Sequence, residues 1–405
     1  MATASSPDTA AAVRSGAASA VVAAESGSGL AASLARKNPL RYRSLDQWLG
    51  GYLKSRRQRP QLDDGQPYHV FLSVCDHYEP EFGQASEAVA LERVDAWCER
   101  YPRLFSQFAD ADGRPPQQTF FFPQDQYRPV YLDRLAELCG DGFGDVEVHL
   151  HHHDDTEANL TERLDRFRHD LHERHGLLRL DPDSGEPIYG FIHGNWALAN
   201  SRRDGCYCGV DNELEILQRT GCYADFSMPS APVETQTRLV NQIFYAANDP
   251  TVRKPYDEGI EAAVGQTPPD DHLLMVAGPL GPDWNSRKLG VIPRIENSDL
   301  HAFQMPTVER FENWCRIGVH VAGRPDWIFI KLHTHGCKPV NLDAWFSDAT
   351  VQFHADLARL QADRPEMKLH YVTAWETAQL VHAAERGDPV ESVLSVSAPS
   401  PIPVA

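Results

Sequence analysis

From residue 69 to residue 387 the chain alternates short strand-like runs with longer helix-like ones, and no other feature narrows the fold as far. "HVFLSVC" (69–75), "QTFFFP" (118–123), "DVEVHL" (145–150), "IYGFIH" (188–193), "CYADFSM" (222–228), "HLLMVAG" (272–278), "DWIFIKLH" (326–333) and "KLHYVT" (368–373) are short, apolar and rich in β-branched and aromatic residues, as strands are. Between them, apolar residues recur at three- and four-residue steps, as Leu160, Leu164, Phe167 and Leu171 do, which is the stripe of an amphipathic helix. Seven or eight β/α units over about 320 residues predict one α/β domain built as a (β/α)7–8 barrel, since such barrels need roughly 250 residues. A doubly wound open sheet shows the same alternation. No G-x-G-x-x-G, G-x-x-x-x-G-K-[ST] or G-x-S-x-G follows a strand, so dinucleotide, P-loop and serine-hydrolase readings fall away.

Composition sets the limits of this domain. Residues 1–40 are Ala/Ser-rich and read as a disordered tail, 41–65 as a helical lead-in, 66–387 as the β/α body and 388–405 as a second disordered tail. The formal charge of −19 disfavours nucleic acid as a partner, because an acidic surface repels phosphates. No apolar stretch approaches the ~20 residues of a membrane span, and no signal-peptide pattern opens the chain, so a cytoplasmic location is expected. Eight cysteines spread through strands and helices are then expected as reduced thiols. Cys206 and Cys208 form a C-x-C without a second pair at zinc-ribbon spacing and read as a loop detail.

Chemistry gathers at the strand ends. The first strand runs into Asp76, His77, Tyr78 and Glu79, the fourth into His193, Asn195 and Trp196, the fifth into Asp225 and Ser227, and the penultimate into His333 and His335. The third is the densest, with His149, His151, His152, His153, Asp154 and Asp155 in seven positions. In β/α folds that end of the sheet carries the active site. Four imidazoles so close together repel when protonated, and a divalent cation bound by neutral nitrogens removes that conflict. His149 at the strand end and His153 on the next helical turn can converge on one ion. His151 is the rival if the strand continues, since alternation then aligns 149, 151 and 153.

These residues resemble the polysaccharide deacetylase family, the NodB-homology carbohydrate esterases, over about residues 66–387. Asp76 in "LSVCDHYEP" and His149/His153 in "VEVHLHHHD" are similar to the family's metal-binding Asp and H-x-x-x-H, while "LQRTGCYADFSMPS", "WIFIKLH" and "LHYVTAWETAQLV" resemble its later segments. The resemblance implies a deacetylase-type barrel, a divalent metal, Zn2+ or alternatively Co2+ or Ni2+, held by Asp76, His149 and His153, and His333 as catalytic acid. Cys75 stands where the family has its general base, and His193-Gly194-Asn195 where it has an Arg that orients the base. Glu79, Asp154 or Asp155 is then expected to serve as the catalytic base, and no spacing singles one out.

The implied reaction is metal-assisted removal of an acyl group from an amino sugar or glycan. Asn195, Trp196, Asp225 and His335 are candidates for binding the carbohydrate, and Arg294 for holding an anionic group on it. Two alternatives stay open. One is a metal-dependent glycoside hydrolase, for which Asp76 with Asp225 or Glu296 would be the facing carboxylates. The other is a catalytically silent, glycan-binding barrel.

Overall fold

The alternating pattern of the first strand sets the architecture. In β1 (Tyr68–His77), Val70, Leu72 and Val74 join one hydrophobic core while Phe71 and Cys75 join a second on the opposite face. A strand buried on both faces needs layers on both sides, as parallel α/β sheets have. The computed structural model describes residues 43–59 and 65–394. The Ala/Ser-rich stretch 1–40 and the chain beyond 394 lie outside the described residues.

After a lead-in helix α1 (Leu45–Ser55), the chain runs β1, α2 (Glu87–Phe105), β2 (Gln118–Pro123), α3 (Pro129–Gly140), β3 (Gly144–Leu150), α4 (Glu157–His175), β4 (Arg179–Leu180), β5 (Pro187–His193), α5 (Glu213–Arg219) and β6 (Cys222–Asp225). It continues as β7 (Ile243–Ala247), β8 (Ile260–Glu261), β9 (His272–Val276), β10 (Gly281–Lys288), β11 (Ile292–Glu296), β12 (Asp299–Leu300), α6 (Val308–Ile317), β13 (Trp327–Thr334), α7 (Pro339–Trp345), α8 (Asp348–Asp363), β14 (Met367–Tyr371), α9 (Ala374–Arg386) and α10 (Glu391–Leu394). Helix starts follow local chemistry: Thr156 caps α4 through the Asn159 amide, and Thr373 with Glu376 forms a capping box on α9.

The main sheet is ordered β12-β13-β1-β2-β3-β5-β6-β9-β7-β8. Its strands are parallel except for β7, which runs antiparallel to both β9 and β8, and β4, which pairs antiparallel with β5. β14 pairs with the first half of β1 (Tyr68–Leu72) and β2 with its last three residues. Among the described residues no strand ladder joins β8 to β12. An irregular segment spans that gap instead: Phe329 N donates to Val319 O (2.8 Å) and Ala322 N to Ala262 O (2.9 Å). Among the described residues the expected closed barrel is not seen; the strands form a largely parallel mixed sheet in which β7 runs against both of its neighbours.

Helices α2, α3 and α4 cover the outer face, against Val70, Phe120, Val146 and Phe191. On the inner face, α9 presents Ala374, Ala378, Leu380 and Val381 to Phe71, Phe121, Val276 and Phe329. This inner core fills the sheet below its C-terminal edge and leaves polar residues for the edge itself. The tail expected from residue 388 begins later than its composition suggests, because Val390 and Leu394 are buried against the body. The long segments 245–271 and 278–300 are not plain loops either, since they contain β8 and the β10–β11 hairpin. All eight cysteines are unpaired, and among the described residues no helix is long and apolar enough to cross a membrane.

Candidate metal centre

Alternation in the parallel strands decides which side chains meet at the C-terminal edge of the sheet. His77 follows Phe71 and Cys75 on the inner face of β1, and His333 follows Trp327 and Phe329 on that of β13. His149 ends β3 opposite the outward residues Val146, Val148 and Leu150. Beyond the strand ends the chain carries Glu79, His151 and His335 into the same space.

Glu79 is the hub. Its Oε1 lies 3.1 Å from His151 Nε2 and 3.5 Å from His149 Nε2, and its Oε2 lies 3.6 Å from His335 Nδ1. The His77 ring sits 4.8 Å from His149 and 4.7 Å from His335, centroid to centroid, with His333 at 6.0 Å. Trp196 closes one side, 5.3 Å from the His77 ring.

The proton positions follow from the partners. His149 Nδ1 faces the Ile192 carbonyl at 3.1 Å, so it carries the proton and leaves Nε2 with a bare lone pair. That Nε2 is buried without a hydrogen-bond partner and points toward a carboxylate. His151 is oriented by Asp125, whose Oδ1 is 3.1 Å from Nδ1. Two imidazole nitrogens and one carboxylate oxygen thus lie within 4.8 Å of one another, a donor set that suits a divalent cation. An outer carboxylate fixing a ligand imidazole is the usual support of such a site.

Without an ion the charges pair within the group, and the proton that His151 holds toward Glu79 must leave before Nε2 can serve as a ligand. Burial alone would raise the Glu79 carboxyl, but its contacts with His149, His151 and His335 outweigh it and hold Glu79 well below the usual carboxylate range. Burial would likewise lower His151, yet Asp125 and Glu79 lift it to about 10. His149 and His333 are both pushed down by burial and so stay neutral.

No protein-family model matches the chain, and no curated protein sequence matches it. Among solved structures, one from Mycobacterium smegmatis, provisionally described as a polysaccharide deacetylase, is similar with a TM-score of 0.42 and 12% identity, over 82% of this chain and 96% of that one. A likeness of that size carries nothing about chemistry, which rests on the residues at the strand ends.

The structure brings together part of the residue set expected from sequence. Glu79, His149, His333 and His335 share the inner mouth with Trp196. Asp76 does not join them, because it lies on the outer parity of β1. Its Oδ1 accepts from Gly336 N (2.6 Å), in the loop that carries His335, and its Oδ2 from Gln118 Nε2 (3.1 Å) at the start of β2. Nor does His153 join: its side chain is 51% exposed and its Nδ1 accepts from Tyr207 N. His151 takes the place expected of His153, and Gly194 permits it, since a Cβ there would come within 2.3 Å of the His151 ring.

Asp155 is held on the other side of β3 by Thr156 N, Asn159 Nδ2 and His152, remote from a base's position at Glu79. Cys75 is buried between Phe71 and Phe121, and burial pushes its thiol up to about 11. Asn195 sits half-buried at the rim, with its amide on His193 Nδ1. Asp225 is spent on Ser227, whose N and Oγ both bond to it. Glu296 is locked to Arg310 through two contacts of 2.8 Å. The facing carboxylate pair that a glycoside hydrolase requires is therefore missing from Asp76, Asp225 and Glu296.

A cleft of about 1050 Å³ opens beside this centre, lined by Arg294 with Asp283, Asn285, Asn297, Phe303 and Asp299 among others. Asp299 connects the two, with its Oδ1 3.9 Å from His333 Nε2. The sequence named His77 at its strand end without a role and gave no sign of Asp125. The first was available from the parity of β1; the second sits in a short 3-10 turn after β2 and carried no signal.

Proposed function

We propose that the protein is a metal-dependent hydrolase that removes an acyl group, most simply acetyl, from a carbohydrate. The observation that carries this is the Glu79–His149–His151 group, with the bare, buried Nε2 of His149 at its centre. Three protein ligands leave room for a water and a substrate oxygen, as hydrolytic metal centres require, whereas structural sites fill all four positions. Zinc fits two imidazoles and a carboxylate, and cobalt or nickel fits the same set. When bound, such an ion polarises an acyl carbonyl and lowers the pKa of its water.

The chain's own residues supply the rest. His333 is neutral and buried, its Nδ1 lacks a partner, and Asp299 stands at its Nε2, so it can take up the proton released by the attacking water and then hand it to a leaving amine or alkoxide. His77 lies between His149 and His335 and excludes bulk water from the group. Trp196 offers an aromatic face at the rim. The cleft, polar along the β10–β11 hairpin and carrying the exposed Phe303 ring, suits an extended glycan, with Arg294 placed for an anionic substituent.

The test is acetate release from N- and O-acetylated sugars and oligosaccharides by the metal-loaded full chain, next to His149→Ala/His151→Ala and His333→Ala. Metal-dependent release, abolished in the double variant and reduced about 10²–10⁴-fold in His333→Ala, is expected. A metal-loaded protein inert toward every acylated sugar would point to the silent glycan-binding alternative. Iron at the site with oxygen consumption would replace hydrolysis by oxidation, since two histidines and a carboxylate also serve iron oxygenases.

A further inference from the structure

β3 has a second side, and there four more ligand-type side chains meet. His152 follows its end, His193 ends β5 on the outer parity set by Phe191, Glu213 opens α5, and Cys208 comes from the loop between. All four are buried, with His193 and Glu213 at 0% exposure. One donor atom from each lies within 4.8 Å of the others. Glu213 Oε1 is 3.1 Å from His152 Nε2 and 3.9 Å from His193 Nε2, and Glu213 Oε2 is 3.3 Å from Cys208 Sγ.

Two further observations point inward. His193 Nδ1 accepts the amides of Asn195 and Ala197, which turns Nε2 into the group, where it is buried without a partner. His152 presents Nε2 to the group while Asp155 stands 3.3 Å behind its Nδ1, the carboxylate–histidine arrangement that orients a metal ligand. The segment these residues gather is strained: Trp196, Ala199, Asn200 and Tyr207 all have positive φ, at 53°, 51°, 51° and 67°. Non-glycine residues hold such conformations only where surrounding structure enforces them.

We propose that His152, His193, Cys208 and Glu213 form a second metal site, structural in type and suited to zinc, which staples residues 194–212 to the ends of β3 and β5. Four protein ligands and full burial are the mark of a closed structural centre. Bond lengths of about 2.0–2.3 Å give a tetrahedron with edges of roughly 3.4–3.8 Å, so the group completes it by closing in about an ångström. The Glu213 carboxylate and the Cys208 thiolate balance a dication: as the ion enters, the Cys208 thiol proton and the proton between His152 Nε2 and Glu213 leave, and the His193 ring proton moves from Nε2 to Nδ1, releasing the 3.2 and 3.3 Å contacts from the Asn195 and Ala197 amides. The staple also fixes Trp196 and Gly194, which border the first centre, yet it shares no ligand with that centre and does not depend on what reaction occurs there.

Sulfur distinguishes the two sites. The full chain, stripped with a chelator and titrated with cobalt chloride alone, should develop a thiolate-to-cobalt charge-transfer band that saturates near one equivalent. The band should survive in His149→Ala/His151→Ala and in Cys206→Ser, and vanish in Cys208→Ser. A folded wild-type chain with no such band, or a band of equal strength in Cys208→Ser, overturns the proposal. Should Cys208→Ser fail to fold, His193→Gln decides instead: it keeps the sulfur and must weaken cobalt binding at least tenfold, and unchanged affinity overturns the site.

Discussion

Arg310 is the residue whose loss should be most visible, because it alone neutralises a fully buried carboxylate. Its Nε and one terminal nitrogen each contact Glu296 at 2.8 Å, and Glu296 is 0% exposed. The guanidinium also donates to the carbonyls of Gln304, Met305 (3.2 Å) and Asp299 (2.9 Å). Replacing it by Met leaves Glu296 with the Ser298 amide as its remaining donor, and stranding a buried charge costs about 3–5 kcal/mol. The side chain also ties the start of β12 to α6, so Asp299 should lose its register beside His333. Urea unfolding followed by tryptophan fluorescence measures the loss. Removing the carboxylate as well, in Arg310→Met/Glu296→Leu, should recover roughly 2–3 kcal/mol, since a vacated ion pair costs less than a broken one. An Arg310→Met variant within about 1 kcal/mol of wild type, or a double variant no better than the single one, would refute the reasoning.

Three further outcomes can be checked. Asp125→Asn should weaken metal binding by about 10–100-fold, because it removes the carboxylate behind His151; equal affinity in a competition assay with a chelating dye would count against His151 as a ligand. Gly194→Ala should also lower that affinity, as its Cβ falls 2.3 Å from the His151 ring, whereas the same change at the open Gly140 should not. His354, which bonds to the Tyr371 hydroxyl at 2.8 Å, is pushed down to about 3 by burial. The unfolded chain binds its proton below pH 6.5 and the folded chain does not, so stability falls as pH drops from about 6.5 to 3. At pH 4.5 that is about 2–3 kcal/mol, which His354→Gln should restore relative to its effect at pH 8; a pH-independent difference would show that burial is not what holds the ring neutral.

Eight of the strand positions were readable because buried parallel strands are apolar on both faces and bounded by turns, and the helices between them carry an unmistakable stripe. Closure was not readable. The gap lies between β8 and β12, and β7 and β8 beside it are short strands embedded in a polar stretch whose antiparallel pairing no local pattern announces. The β10–β11 hairpin stayed hidden for a similar reason, since its residues are half exposed and lack a turn dipeptide. The histidine run pointed to the right place, yet it merged two destinations: His149 and His151 enter the inner mouth while His152 turns to the outer cluster with His193, Cys208 and Glu213. Cys208 passed for a loop detail because its partners lie 56, 15 and 5 positions away in sequence, beyond the reach of any motif.

Side-chain parity separates Asp76 from His77, and it yields a prediction that the family pattern alone reverses. If Asp76 were a ligand, Asp76→Asn would abolish metal binding as His149→Ala does, since an amide oxygen is a poor substitute for a carboxylate. On the outer face, the same change keeps an oxygen for the Gly336 amide and lets the Gln118 amide turn, because Gln118 Oε1 has no partner of its own. Asp76→Asn should then cost about 1 kcal/mol of stability and leave metal affinity within about threefold of wild type, well short of the tenfold that 1.4 kcal/mol represents. A loss of metal matching that of His149→Ala would return Asp76 to the centre and show that the loop at Gly336 rearranges when the ion binds.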